Sequence, residues 1–245
     1  MFSPVYTDRV LEPAYQNWKT LYASDAIAVH KAHLLGLVER GIVPKDKGRL
    51  IAGAIDAMET GFTYPANIPP SVEDLYFVYE RELGVRIGAE NAAYLHTARS
   101  RNDMDTTVFR MALRRALLGL AQLVLGTLES LKKRAESCAR ELTVLYTHGQ
   151  PANVSTIGHY LSAFAGELAG DLAGLVAAID VVNRSTMGAC AITGTGFPLD
   201  RKRVADLLGF PSFVLNTYEA ISTSRWLTRP ASAIEDIMQD VGRLM

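Results

Sequence analysis

The stretch Tyr94–Arg110, YLHTARSRNDMDTTVFR, gathers His96, Arg99, Ser100, Arg101 and Asn102 immediately ahead of a long apolar-striped segment. Imidazole, guanidinium, hydroxyl and amide groups there meet the start of a helix, whose first N–H groups are unpaired and carry partial positive charge. Such a helix start suits a carboxylate or a phosphate. Asn102 or Asp103 is placed to cap it. The plainer alternative is an ordinary capped helix with surface arginines, and other parts of the chain must decide between the two.

A second polar loop, LYTHGQPANVST, sets Thr147, His148 and Gln150 just before Pro151, where a helix does not easily continue. His148 is the best acid–base candidate, because an imidazole titrates near neutral pH and can give or take a proton. Loop histidines are more often surface or hydrogen-bonded residues, and His30, His33, His96 and His159 carry the same discount. His30 and His33 lie one helical turn apart, but no carboxylate at matching spacing completes a ligand set, so no metal is expected. The glycines of MGACAITGTGFPLD lack the GxxxxGK[ST] pattern and a preceding strand, and read as a tight loop rather than a phosphate cradle. No cofactor is called for.

The elements that must hold these loops are helices. Apolar residues recur at helical spacing from Gln16 to Glu39, stopping at Gly41, and again after Pro44 as far as Gly61. Ser71, with Asp74 three residues on, offers a cap for a third helix closing at Gly84. The longest pattern runs from Asp105 to about Glu141, a rod of roughly 50 Å at 1.5 Å per residue. A comparable helix covers about Thr156 to Val182, where Gly166, Gly170 and Gly174 leave a bare strip suited to close approach by another helix, such as one from a neighbouring subunit. Asp200 caps a short helix that ends at Gly209, and a last pattern carries Ala233, Ile237, Val241 and Leu244.

With 245 residues, 49% hydrophobic and 21% charged, the chain has enough material for a substantial core. Its net charge of −1 gives no general reason to expect a nucleic-acid or anionic-membrane partner, so any anion recognition rests on local clusters. Cys138 and Cys190 are too few for a disulfide framework. No secretory signal and no uncharged apolar run of membrane-spanning length is read, and a soluble cytoplasmic protein is the expectation.

The blocks HTARSRND before a long helix, then YTHGQPA, then GTGFPLDR with LGF, then NTYEAIS, resemble argininosuccinate lyase and its relatives in the aspartase/fumarase superfamily, in order and separation as well as in letters. The resemblance runs from about Ser24 to the end. It implies an all-α fold: a helical N-terminal domain, residues 1–104, followed by part of a long central helical bundle, residues 105–245, incomplete at its C-terminal side. It also implies homotetramers with active sites shared between subunits. The implied reaction is β-elimination, in which a C–N bond of an N-substituted aspartate (an aminosuccinate) breaks and fumarate leaves. Ser100, Arg101 and Asn102 match the family's substrate-binding triplet, Thr147 a substrate-binding threonine and His148 its proposed proton donor, with Gln150 in the same binding loop.

The departures from the family are as informative as the matches. The family's catalytic serine lies in a loop resembling GSSxMPxKxNP, which this sequence does not contain, so a fragment of a longer enzyme is expected. His30 stands where an early serine of the family is usual, Tyr76 replaces the histidine of its Glu-Asp-Ile-His segment, and Met104 stands in place of a glutamine. The segment NTYEAISTSRW carries Thr223, Ser224 and Arg225 after Ser222, where argininosuccinate lyases usually have Ser-Asp-Arg-Asp. These positions lie toward the amine side of the family's site, which points to an amine other than arginine, as in ethylenediamine-disuccinate lyase-like relatives. The competing expectation is a non-catalytic structural or regulatory protein on the same scaffold, much as lens delta-crystallins resemble this lyase.

Overall fold

The computed structural model describes residues 2–245 and divides into two compact units, one comprising the chain up to Ala112 with Asn183–Thr223, the other Leu113–Val182 with Ser224–Met245. In the first unit a helical stretch beginning at Pro4 leads into α1 (Ala23–Glu39). Gly41, at φ 70°, ends α1 in a left-handed turn, and the Ile42 N–H returns to the Leu37 carbonyl at 2.9 Å, so the last carbonyls are not left open. Helix α2 (Lys45–Gly61) packs against α1 through Ile51 and Ile55, both fully buried. Helix α3 (Leu75–Ile87) is capped by Asp74, whose carboxylate accepts the Phe77 N–H at 3.2 Å. The expected cap, Ser71, instead occupies a left-handed turn at φ 65°, and the helix runs through Gly84 to stop at Gly88, φ 84°. Both ends thus lie further along the chain than expected, the cap at Asp74 rather than Ser71 and the stop at Gly88 rather than Gly84.

Helix α4 (Arg101–Ser137) begins in the first unit and continues in the second. Its cap is Ser100 rather than Asn102 or Asp103. The Ser100 hydroxyl accepts the Asn102 N–H at 3.3 Å, and the Asp103 carboxylate reaches back to the Ser100 N–H at 2.9 Å, a reciprocal box with aspartate in the third helical position. By length and composition alone α4 could cross a membrane, with mean hydropathy 1.3 over one 18-residue window. Leu117 and Val124 of this helix are buried in the second unit's core, while Leu118, Leu123 and Leu125 are exposed.

The segment between the two long helices is not a simple loop. Leu142–Thr147 (β1) and Gln150–Thr156 (β2) form an antiparallel hairpin, with a bulge that leaves Ala152 unopposed. The two residues joining the strands, His148 and Gly149, both have positive φ, 51° and 75°, the conformation of the turn that suits the twist of paired strands. Helix α5 (Ile157–Val182) follows, and its Leu168, Leu175 and Ile179 pack with Leu117, Val124, Ala233 and Ile237. A two-residue parallel pair, β3 (Arg184–Ser185) with β4 (Ser212–Phe213), flanks α6 (Arg201–Leu207), which Asp200 caps as expected. The expected last helix, α8 (Arg225–Leu244), follows α7 (Thr217–Ser222), a turn of helix capped by Asn216 that the polar composition of NTYEAIS hid.

The close approach within the second unit is made by Gly158. A Cβ there would lie 2.5 Å from the Ala135 carbonyl oxygen and 2.8 Å from the Ala139 Cα, both rigid backbone, whereas a Cβ at Gly166, Gly170 or Gly174 meets nothing within 4 Å. Among the described residues, the bare strip therefore has no close neighbour. Gly158→Ala should cost about 1–3 kcal/mol from overpacking, while Gly166→Ala should be neutral or stabilise by up to about 1 kcal/mol through helix propensity. Urea midpoints of the two variants check this, and an unchanged midpoint for Gly158→Ala would contradict the packing.

Candidate active site

The start of α4 is fixed by one buried carboxylate. Asp103, fully buried, accepts the backbone N–H of Ser100 through Oδ1 and those of Gly188 and Cys190 through Oδ2, all at 2.9 Å. The same residue's carbonyl receives the Thr107 and Thr186 hydroxyls at 2.8 and 3.1 Å. Burial raises the Asp103 pKa, and the three N–H donors oppose that rise. The glycine-rich loop read from the sequence as a tight turn is thus stitched to the helix start, where Gly188 and Cys190 adopt φ of 79° and 55°.

Of the residues expected to bind substrate, Ser100, Arg101 and Asn102 stand together on this helix start. Ser100 is half-buried and Asn102 exposed. Arg101 is not a free donor. Its Nη1 bonds the Asp74 carboxylate, its Nη2 lies 3.4 Å from the Glu73 carboxylate, and its guanidinium stacks 5.0 Å above the Phe77 ring. Asp105, one turn along α4, shares this neighbourhood. Burial, then the charges of Asp74 and Asp103, push its pKa up to about 7 against the opposing pull of Arg101. Three acidic groups, Glu73, Asp74 and Asp105, therefore compete for one guanidinium.

Ser100 and Arg101 line a cleft of about 590 Å³ whose walls also include Tyr76, His96, Arg99 and Cys190. Beneath it runs a buried polar chain. Arg99, 8% exposed, donates through Nη1 to His30 Nδ1 at 2.8 Å and through Nη2 to the Tyr76 hydroxyl at 3.4 Å. The Tyr76 hydroxyl also meets Glu80 Oε1 at 3.0 Å and His96 Nδ1. His30 stacks on Tyr79 with ring centroids 4.4 Å apart, and burial, followed by the Arg99 charge, holds its pKa well below the usual histidine range. His33 is also buried, with Nε2 2.8 Å from the Thr97 carbonyl oxygen, a fixed core histidine rather than a ligand.

Thr147, His148 and Gln150 sit at the tip of the β1–β2 hairpin in the second unit, all exposed. His148 is thereby presented on a two-residue turn, with the Thr147 and Gln150 backbones paired on either side of it. Among the described residues no cluster of three or more His, Cys, Asp or Glu side chains could hold a metal. Sequence reasoning did not join Glu80 to Tyr76. Their four-residue spacing on one helix was the available signal.

A family model described as Lyase matches residues 9–245. The chain belongs to this lyase family. It is 40% identical to argininosuccinate lyase 2 of Agrobacterium fabrum over 99% of this chain and 48% of that protein. It is 34% identical to the argininosuccinate lyase of Methanosphaera stadtmanae over 84% of this chain and 44% of that one. Two solved structures, an EDDS lyase variant with bound fumarate and EDDS lyase in complex with formate, each superpose with TM-score 0.81 at 30% identity, covering 95% of this chain and 48% of theirs. The chain therefore spans about half the length of the curated relatives it matches. The expected kinship with argininosuccinate lyase and the aspartase/fumarase superfamily is borne out, as is the predominantly helical fold.

Proposed function

We propose that this chain is part of a fumarate-releasing C–N lyase that eliminates an amine from an N-substituted aspartate. The observation that carries the reading is the family match across residues 9–245 together with Ser100, Arg101 and Asn102 at the start of a long helix. A base removes the proton from the carbon beside one carboxylate, the electron pair forms the new double bond, the C–N bond breaks, and the amine leaves with a proton. Charge builds on the carboxylate as the first proton departs, so donors aimed before the reaction lower the barrier. Ser100, Arg101 and Asn102, with Thr147 and Gln150, are assigned to the succinyl carboxylates. His148 is assigned the proton for the departing nitrogen. The base that takes the carbon-bound proton is not assigned to any residue of this chain.

The assembly in this reading is a cytoplasmic homotetramer with active sites shared between subunits. Two features favour it: the glycine strip of α5 has no close neighbour among the described residues, and the hairpin carrying His148 exposes Leu142, Tyr146 and Val154 by 65–76%. An isolated two-stranded hairpin with so much apolar surface is marginal in water, and a partner would cover it.

Fumarate release followed by ultraviolet absorbance tests the reading, with argininosuccinate and other N-substituted aspartates as substrates, using this chain alone and the complete enzyme containing it. Release from an aminosuccinate is expected in the complete enzyme. No release from any of them would favour the non-catalytic scaffold, and efficient turnover of argininosuccinate would reject the expectation of a different amine.

A further inference from the structure

His30 and Tyr76, two positions that the resemblance to argininosuccinate lyases reads as departures, are joined through Arg99, and the hydrogen-bond roles along that chain follow from its ends. A guanidinium only donates, so His30 Nδ1 accepts from Arg99, and the Tyr76 oxygen spends one lone pair on Nη2. The Glu80 carboxylate only accepts, so the single phenolic proton goes to Glu80 Oε1, 3.0 Å away. The opposite choice, with that proton on His96, would leave two oxygens facing each other at the same separation. The phenol then has one lone pair left. His96 Nδ1 must bring the hydrogen to it, and with that bond made the phenol has used its one donor and both of its acceptor sites.

An imidazole protonated on Nδ1 carries its free lone pair on Nε2. The His96 side chain is 49% exposed and is one of the residues lining the cleft with Ser100 and Arg101. No residue among those described hydrogen-bonds its Nε2. Burial, then the Arg99 charge, lowers the His96 pKa, which keeps the ring in its neutral, accepting form near neutral pH.

Building on the lyase reading above, we propose that Tyr76 is a positioning residue that holds His96 as the Nδ1–H tautomer, so that Nε2 accepts a hydrogen bond from an N–H of the departing amine. Among the groups lining the cleft, the donors Ser100 and Arg101 suit carboxylates. The acceptors His96 and Glu80 suit a polar amine bearing several N–H groups, and a purely alkyl amine is disfavoured because it would leave His96 Nε2 unpaired.

The positioning half is tested without activity. A two-bond ¹H–¹⁵N correlation of the ¹⁵N-histidine-labelled chain reports which ring nitrogen carries the proton, and His96→Gln, at a half-exposed site, assigns the signals. The Nδ1–H pattern is expected for His96, shifting toward Nε2–H in Tyr76→Phe. A wild-type His96 protonated on Nε2 would overturn the proposal even if the Phe variant fails to fold. The recognition half is read in the complete enzyme in the addition direction, with fumarate and either arginine or ethylenediamine. Tyr76→Phe and His96→Gln should each raise KM for the amine by about tenfold while KM for fumarate stays unchanged. Addition with an unmoved amine KM rejects the amine contact. Absence of any fumarate chemistry in the wild type rejects the lyase reading instead, and the tautomer measurement still decides the role of Tyr76.

Discussion

Asp105→Asn should stabilise the chain by up to about 4 kcal/mol at about pH 8, with the gain fading as the pH approaches 4. In the folded chain the Asp105 carboxyl is pushed up to about 7, first by burial and then by the Asp74 and Asp103 charges, from the ordinary aspartate value of 3.8. Below the lower value both folded and unfolded chains hold the proton, and ionisation costs nothing. Between the two values the unfolded chain has released its proton while the folded chain has not, so stability falls as pH rises, by about 1.4 kcal/mol per unit. Above the folded value the loss is complete and constant, roughly three units' worth. Asparagine keeps the shape of the neutral acid and has no proton to lose, so the variant escapes this slope. Comparing variant with wild type at each pH cancels the contributions of other raised carboxyls such as Asp103. Urea denaturation at about pH 4 and about pH 8 measures the effect, and equal stabilities at the higher pH would show that Asp105 is solvated or fully compensated by Arg101.

That competition around Arg101 shows where sequence reading reached its limit. Helix α2 and the long rods α4 and α5 were legible because one apolar stripe at a period of 3.6 is a local signal. The polar cluster at Ser100–Asn102 was legible for the same reason, being contiguous in sequence. The groups that restrain it were not. Asp74 lies 27 residues from Arg101, and His30 lies 69 from Arg99. Only the packing of α1, α3 and the start of α4 makes them neighbours. Asp103, considered as a cap in its own right, closes the Ser100 box and clamps the loop at Gly188 and Cys190, because its two oxygens face different segments. The hairpin escaped notice because long helical patterns flank it. Its own signals, β-branched and aromatic residues in LTVLYT followed by a His-Gly pair able to take two positive φ values, occupy only a few positions.

Replacing Arg101 should separate binding from architecture. In the complete enzyme, Arg101→Ala is expected to lower kcat/KM by about 10²–10³-fold, the range for a lost transition-state donor of about 2.7–4 kcal/mol. The same change breaks the contacts to Asp74 and Glu73, yet Asp74 retains its cap on α3 through the Phe77 N–H, and a partly exposed ion pair contributes only about 0–1 kcal/mol. Activity should therefore fall far more than stability. Asp74→Asn supplies the complementary case, since an amide oxygen still caps α3 while the negative charge holding Arg101 is gone. If substrate carboxylate and Asp74 compete for the same guanidinium, that variant should bind the aminosuccinate more tightly, seen as a lower KM. Asn102→Ala, at an exposed side chain, should leave the urea midpoint nearly unchanged and still reduce turnover. A purely structural role for Arg101 predicts the reverse: Arg101→Ala and Asp74→Asn would lose similar stability, and kcat/KM would stay at the wild-type value in both.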